Sequence, residues 1–390
     1  MVKAGRLEEE ELYRMENTCG PGCGSCSFYG TANTMCCLAE SLGMTLPHGA
    51  LIPAVYADRT RIAFETGERI VSLVRENITA DQIINERSLE NAIRVLNATG
   101  GSTNGVLHLL AVAREAGIDS RVMTEKFKEI GMNTPLIAKV NPSSKYNMED
   151  FHNSGGIPQV MKELESLLNL EVMTVTGKTV GENLKEYRQV RVNREIIKTL
   201  SEPFSKFGGI SILEGNLSPE GCITKPSAIK PNMHVFTGTA RVFDSEESAE
   251  EAILGGQIKP GNVVVIRYEG PKGGPGMREM YKAMKYLYGM GLAESTALIT
   301  DGRFSGTNNG CFVGHISPEA AEGGTIAFVQ DGDEITVDIP AQSITLHVPE
   351  EVLEERRKGF TLPKPKYTRG YLGVYSKLAA SASRGAVIEM

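Results

Sequence analysis

Three cysteines lie within eight residues of one glycine-rich loop near the start of the chain. These are Cys19, Cys23 and Cys26, and glycines occupy three of the positions between them. Thiolates grouped in this way are typical ligands of metal and iron–sulfur centres. The loop is followed by Thr31-Ala-Asn-Thr-Met and an apolar run, which predicts a helix N-terminus, where backbone N–H groups and the helix dipole favour thiolate. The pattern predicts a metal enzyme.

Size and composition limit the possible classes of protein. A chain of 390 residues is long enough for two domains. No apolar run approaches the roughly 20 residues that span a bilayer, and a net charge of -7 without a basic stripe gives no footprint for nucleic acid. The charged start lacks a signal peptide, and five of the seven cysteines lie between Cys19 and Cys37, unlike a secreted disulfide framework. We therefore expect a cytoplasmic protein with no membrane or nucleic-acid partner.

The first half of the chain has the pattern of helices joined by glycine-rich loops. Residues 60–77 have the spacing of an amphipathic helix, with Ala63, Gly67, Ile70 and Val74 on one face. Ser88 is predicted to cap a second helix that ends at Gly100, and Ser102 to cap a third.

From about residue 205 the pattern changes to short β-rich runs. They begin at Ile210, Val263, Ala297, Ile326, Ile335 and Ile344. Asp331-Gly332 is a hairpin-turn signal between the Ile326 and Ile335 runs, and Asp244-Ser245 begins a helix. We place the boundary between 190 and 205, which predicts domains at 1–195 and 196–390.

Two loops of the second half carry candidate functional residues. The first follows the Val263 run, is rich in glycine and contains Glu269 and Glu279, as expected of an anion or metal loop or of a purely structural turn. The second delivers Asp301, Arg303 and Ser305 at the end of the Ala297 run, where open α/β sheets bind ligands. From the residues alone, Ser305 is a nucleophile, a base or only a turn residue.

Several strings, taken in their order along the chain, resemble the dihydroxy-acid/phosphogluconate dehydratase family. They include Cys23-Gly-Ser-Cys, Thr31-Ala-Asn-Thr-Met, Gly100-Gly-Ser-Thr-Asn, Tyr268-Glu-Gly-Pro-Lys-Gly-Gly-Pro-Gly-Met, Thr300-Asp-Gly-Arg-Phe-Ser-Gly and Ser381-Ala-Ser-Arg-Gly-Ala-Val. The resemblance implies a two-domain α/β protein. Its first part would be the remainder of a larger helical α/β domain, followed by a β-rich β/β/α domain similar to a swivelling barrel, with the site between them.

The resemblance also implies a chemistry. Such enzymes are hydro-lyases that remove water from a 2,3-dihydroxy carboxylic acid to give a 2-keto acid. The expected substrate is 2,3-dihydroxyisovalerate of branched-chain amino acid biosynthesis, with a sugar acid as the alternative. The expected cofactors are an iron–sulfur cluster of two or four irons and Mg²⁺. By motif position, Cys26 matches a cluster ligand, Glu279 an Mg²⁺ ligand supported by Glu269, and Ser305 the base that takes the C2 proton.

Two departures from the family pattern leave alternatives open. The Cys-Asp-Lys motif of the family's N-terminal segment occurs nowhere in the chain. One expectation is therefore that the chain is an inactive fragment, and another is that a partner chain supplies that segment. The family itself implies a homodimer or a larger assembly. The spacing of Cys19, Cys23 and Cys26 also matches the Cys-x-x-x-Cys-x-x-Cys of radical S-adenosylmethionine enzymes, which is the second catalytic hypothesis.

Overall fold

The chain divides into two compact units. One is Gly22–Ile210, and the other combines Met1–Pro21 with Ser211–Met390. The computed structural model describes residues 1–20, 22–188, 190–306 and 310–389, so Pro21 of the cysteine loop lies outside the described residues. The domain boundary expected near residue 195 stays a prediction.

Helices and strands are numbered in chain order. The α-helices are α1 (Glu9–Thr18), α2 (Thr31–Ser41), α3 (Ala57–Glu76), α4 (Ala80–Ile83), α5 (Glu86–Thr99), α6 (Asn104–Glu115), α7 (Ser120–Asn133), α8 (Met148–Asn153), α9 (Gly156–Glu163), α10 (Val180–Glu186), α11 (Glu246–Leu254), α12 (Tyr281–Gly289), α13 (Glu350–Lys358) and α14 (Gly370–Leu378). The β-strands are β1 (Ser211–Gly215), β2 (Ser218–Thr224), β3 (Val235–Phe243), β4 (Asn262–Ile266), β5 (Ala297–Thr300), β6 (Cys311–Gly314), β7 (Glu334–Asp338) and β8 (Ser343–Leu346). None of the helices in the described part of the chain has the length and hydrophobicity needed to cross a membrane.

The unit Gly22–Ile210 is built around α5. This helix contacts α2, α6, α7 and α9 and has apolar residues buried along its length. The predicted end at Gly100 is confirmed, since Gly100 adopts a left-handed conformation with φ 59°. The predicted start is corrected: Asn85 is the N-cap and accepts the N–H of Ser88, so the helix begins at Glu86. Within its described residues, this unit consists of helices and isolated β-bridges, and it has no strand longer than a single bridge.

Helix α3 is confirmed as a helix, but its apolar face is exposed. Leu73 is its buried residue, whereas Ile70 and Val74 are 56% and 76% exposed. The periodicity of the sequence predicts an apolar stripe on the helix, but it does not predict which part of the protein packs against that stripe.

The eight strands of the other unit form a closed barrel in the order β1-β2-β6-β5-β4-β3-β7-β8. The run β3-β4-β5-β6 is parallel, and β1 closes the barrel by pairing in parallel with β8. Along β4, Val263 and Val265 join the cluster to which all eight strands contribute, while Val264 and Ile266 join the cluster formed with α11 and α12. Strand β4 is therefore buried on both faces, which explains its uninterrupted apolar sequence.

One predicted strand is wrong. The run beginning at Ile326 forms a 3-10 helix, Thr325–Phe328, whose four residues are all buried. A short buried apolar run fits a helical turn as well as a strand, and periodicity does not separate the two. Asp331-Gly332 is consequently not a hairpin turn; the hairpin of this region joins β7 to β8.

Closure of the barrel leaves no space for a side chain at Gly215. A Cβ atom there would lie 1.9 Å from the carbonyl oxygen of Ile344. We expect Gly215→Ala to lower the free energy of unfolding by about 3 kcal/mol, since overpacked sites force the backbone to shift. Urea unfolding tests this, with Gly359→Ala, an exposed helix-terminal glycine of the same unit, as the control. Equal stability of the two variants would contradict the prediction.

Candidate functional site

The two loops singled out in the sequence begin at the same edge of the barrel. Strands β4 and β5 are parallel neighbours, and Ile266 pairs with Thr300 at their carboxyl ends. The glycine-rich loop follows Ile266, and the segment with Asp301, Arg303 and Ser305 follows Thr300. The prediction that these residues lie at the carboxyl end of a buried strand is confirmed.

Asp301 connects the two loops. Its carboxylate accepts N–H groups from Tyr268 at 3.0 Å, Glu269 at 3.0 Å and Ala320 at 2.9 Å, and the side chain is fully buried. Burial raises the pKa of Asp301 to about 6. Asp301 thus orders the glycine-rich loop.

Glu319 holds the next part of the same loop. Its carboxylate accepts the N–H groups of Lys272 and Gly273, both at 2.8 Å. A Cβ atom at Gly270 would lie 2.6 Å from a Glu319 oxygen, so a glycine is needed where the carboxylate packs against the backbone. Burial, followed by the nearby Asp301, raises the pKa of Glu319 to about 8.

This raised pKa makes stability depend on pH. Between the ordinary pKa of a glutamate, 4.5, and about 8, the folded protein keeps a proton on Glu319 that the unfolded chain loses. The contribution of Glu319 to the free energy of unfolding therefore falls as the pH rises through this window. Between pH 5 and pH 8 we expect Glu319→Gln to lose at least about 1 kcal/mol less of its free energy of unfolding than the unmodified chain, measured by urea unfolding. The exposed Glu355→Gln is the control, and an unchanged pH slope in Glu319→Gln would contradict the assignment.

Glu269 is enclosed by its own loop. One carboxylate oxygen accepts the N–H of Glu246 at 3.1 Å and lies 2.9 Å from the Lys366 ammonium. The other oxygen is buried and has no hydrogen-bond partner among the described residues. A Cβ atom at Gly274 would lie 2.7 Å from that oxygen. Glu269 is therefore buried and fixed in place, and its supporting role for Glu279 stays a prediction.

Glu279 and Ser305 lie on segments that pair with each other. Glu279 forms a parallel β-bridge with Arg303, and the Arg303 guanidinium donates to the Glu279 carboxylate at 3.2 Å. Arg303 also donates to the carbonyl of Met277 at 2.6 Å. Ser305 follows two residues after Arg303 and is partly exposed. The barrel unit thus carries two of the three residues predicted for the site on two paired segments.

Cys26, the third, lies in the unit Gly22–Ile210. The Asn33 amide donates to the carbonyl of Cys26 at 2.6 Å and to that of Phe28 at 2.7 Å. The loop is fixed further by the N–H of Met148, which donates to the carbonyl of Ser27 at 3.0 Å. The thiol of Cys26 is exposed, and α2 begins five residues later, so the predicted helix N-terminus is confirmed.

An iron–sulfur cluster requires thiolate ligands, and Mg²⁺ requires oxygen ligands. Cys26 offers an exposed thiol and Glu279 a partly exposed carboxylate, each of the correct chemical type. Within residues 1–20, 22–188, 190–306 and 310–389, however, no three His, Cys, Asp or Glu side chains form a group that could hold a metal. The described residues therefore supply single candidate ligands and no complete site. Nor do they form the three-thiol set that the radical S-adenosylmethionine hypothesis needs.

Two residues beside the site were missed in the sequence. Glu319 gives no motif signal, and Lys225, directly after β2, would be expected in solvent. Lys225 is instead 1% exposed, and its ammonium lies 3.4 Å from the carbonyl oxygen of Gly306.

Comparisons with known proteins cover nearly the whole chain. The model of the dihydroxy-acid/6-phosphogluconate dehydratase N-terminal domain matches residues 1–183, and that of the C-terminal domain matches residues 195–386. A dihydroxy-acid dehydratase of Caldanaerobacter subterraneus is 51% identical over 388 residues, which are 99% of this chain and 69% of that protein. A dihydroxy-acid dehydratase of Methanosarcina barkeri is 50% identical over 387 residues, 99% of this chain and 69% of that protein.

Proposed function

The chain belongs to the dihydroxy-acid/6-phosphogluconate dehydratase family, and from this membership we propose that it is a hydro-lyase acting on a 2,3-dihydroxy carboxylic acid. The observation that supports the proposal most is the pairing of the Glu279 and Arg303 segments, which places a carboxylate and Ser305 at one edge of the barrel. A serine on a segment paired with a carboxylate of the type that binds Mg²⁺ fits the abstraction of the C2 proton of a hydroxy acid.

In the proposed reaction Ser305 acts as the base. Its deprotonated oxygen takes the proton from C2, the electrons of the C2–H bond form a C2–C3 double bond, and the C3 hydroxyl leaves with its bonding electrons. The departing hydroxide and the proton held by Ser305 leave as water, and the enol becomes the 2-keto acid. The Arg303 guanidinium, fixed by Glu279 and by the carbonyl of Met277, holds the backbone from which Ser305 projects.

We assign Cys26 as a ligand of an iron–sulfur cluster and Glu279 as a ligand of Mg²⁺. When bound, the cluster would supply Lewis acidity toward the C3 hydroxyl, and Mg²⁺ would neutralise the charge that develops on the substrate. Within the described residues, Cys26 and Glu279 belong to no complete ligand set.

The substrate class is proposed from the names of the relatives. Both of those described above are dihydroxy-acid dehydratases, which favours 2,3-dihydroxyisovalerate over 6-phosphogluconate, although the family models cover both classes. The test is keto acid formation from each compound by the same anaerobically reconstituted sample with Mg²⁺. Greater kcat/KM with 2,3-dihydroxyisovalerate is expected, and the reverse preference would make the chain a sugar-acid dehydratase.

Assembly and location are also proposed. The matched region is 69% of the length of the two relatives described. We propose a homodimer or larger assembly, or a partner chain that completes the ligand set, in the cytoplasm. We also keep the two-domain division at 1–195 and 196–390. The mass of the reconstituted species in solution tests the assembly.

A further inference from the structure

Lys225 is a buried lysine that the proposed reaction does not yet use. It follows β2, which pairs with β6 through Thr224 and Val313. The Thr224 hydroxyl donates to the carbonyl of Phe312 at 2.9 Å, so the backbone that carries Lys225 is fixed against β6.

The Lys225 ammonium points at the segment that carries Ser305. Its nitrogen lies 3.4 Å from the carbonyl oxygen of Gly306, the residue directly after Ser305. Within the described part of the chain this is its one hydrogen bond, and no carboxylate offsets the cost of its burial. A buried ammonium without a carboxylate is costly, since nearly all its hydration is lost. A charge kept at such a cost at the site of the proposed chemistry requires an explanation.

We propose that Lys225 is a positioning residue for Ser305: its ammonium fixes the Ser305–Gly306 segment and supplies a buried positive charge that favours the deprotonated form of the serine. The inference rests on the proposed role of Ser305 as base. An ordinary serine is too weak a base at neutral pH, and a positive charge in a medium of low dielectric constant lowers the cost of forming an alkoxide. Lys225 does not touch the substrate and keeps its proton throughout the reaction.

The charge state of Lys225 provides a readout that a purely structural role would not give. Burial lowers the pKa of Lys225 to about 8. Lys225 therefore carries its positive charge below that pH and loses it above. Because this charge favours the alkoxide of Ser305, kcat of the unmodified chain should fall above about pH 8. The charged and titratable groups on the Ser305 segment are Asp301, which accepts three backbone N–H groups, and Arg303, which pairs with Glu279 of the glycine-rich loop.

The test compares three variants over pH 6 to 10. Lys225→Met should lower kcat about 100-fold with little change in KM, lack the fall above pH 8, and speed amide exchange of the peptide 301–306. Lys225→Arg keeps the charge and should retain most of kcat, with the fall moved to higher pH. Lys285→Met, which removes a half-buried lysine of α12, is the matched control and should keep the wild-type profile.

Two outcomes overturn the inference. One is Lys225→Met with kcat within twofold of wild type and an unchanged fall above pH 8. The other is a turnover of Lys225→Arg as low as that of Ser305→Ala. The arginine variant keeps the positive charge, so this result counts even if the methionine variant fails to fold. If Ser305→Ala itself keeps wild-type turnover, the proposed function fails, and that result is distinguishable from either outcome.

Discussion

Replacing Ser305 by alanine should lower the rate of keto acid formation by about 10²–10⁴-fold and leave the barrel folded, because the reaction loses its base. Ser305 is partly exposed, so replacing its hydroxyl by hydrogen should have little effect on stability. Steady-state turnover of 2,3-dihydroxyisovalerate is the measurement, with the visible spectrum of the reconstituted sample recorded in parallel. An unchanged spectrum with lost turnover would assign the serine to chemistry and not to assembly.

The control for this experiment is Ser343→Ala. Ser343 lies in β8 of the same unit, is also partly exposed and takes no part in the proposed site. It should retain wild-type turnover. Full activity of Ser305→Ala would remove the serine from the mechanism, and equal losses in both variants would point to a general sensitivity of the barrel.

Replacing Cys26 by serine should abolish the cluster absorbance and, with it, all turnover. A serine hydroxyl is a poor substitute for a thiolate as a ligand of iron. The loop itself should survive, since Asn33 and Met148 hold it through the carbonyl groups of Cys26, Phe28 and Ser27 and not through the thiol. Anaerobic reconstitution with iron and sulfide, followed by absorption spectroscopy, measures the effect.

The matched variant for Cys26 is Cys19→Ser, a second exposed thiol of the same motif. A dehydratase-type cluster that uses Cys26 should survive in Cys19→Ser. A radical S-adenosylmethionine cluster, in contrast, would need all three thiols. Loss of the cluster in both variants, together with a spectral shift on adding S-adenosylmethionine, would restore that hypothesis.

The sequence was sufficient for those parts of the fold whose signal is local. Strands β4 and β5 were predicted because both of their faces are buried, which leaves continuous apolar runs. The end of α5 at Gly100 is predictable because glycine is favoured just past a helix C-terminus, and the structure shows Gly100 in the left-handed conformation. The run at Ile326 failed because four buried residues fit a 3-10 turn equally well.

The parts of the site that were missed depend on contacts distant in sequence. Glu319 meets the glycine-rich loop more than forty residues away along the chain, and Lys225 meets Gly306 across 81 residues. Neither position carries a local pattern, and charged residues are expected at the surface unless the tertiary structure encloses them. Glu279 and Ser305 stand out as candidates from their loops, but their roles come only from the resemblance of their motifs to a family and stay predictions.

Keto acid formation by the reconstituted chain tests the central claim most directly. The chain, loaded anaerobically with iron, sulfide and Mg²⁺ and showing cluster absorbance, should convert 2,3-dihydroxyisovalerate to its 2-keto acid, and Ser305→Ala with the same absorbance should not. A wild-type chain that shows cluster absorbance but forms no keto acid from this substrate or from 6-phosphogluconate would contradict the account, whereas a chain that takes up no cluster would require the proposed partner chain.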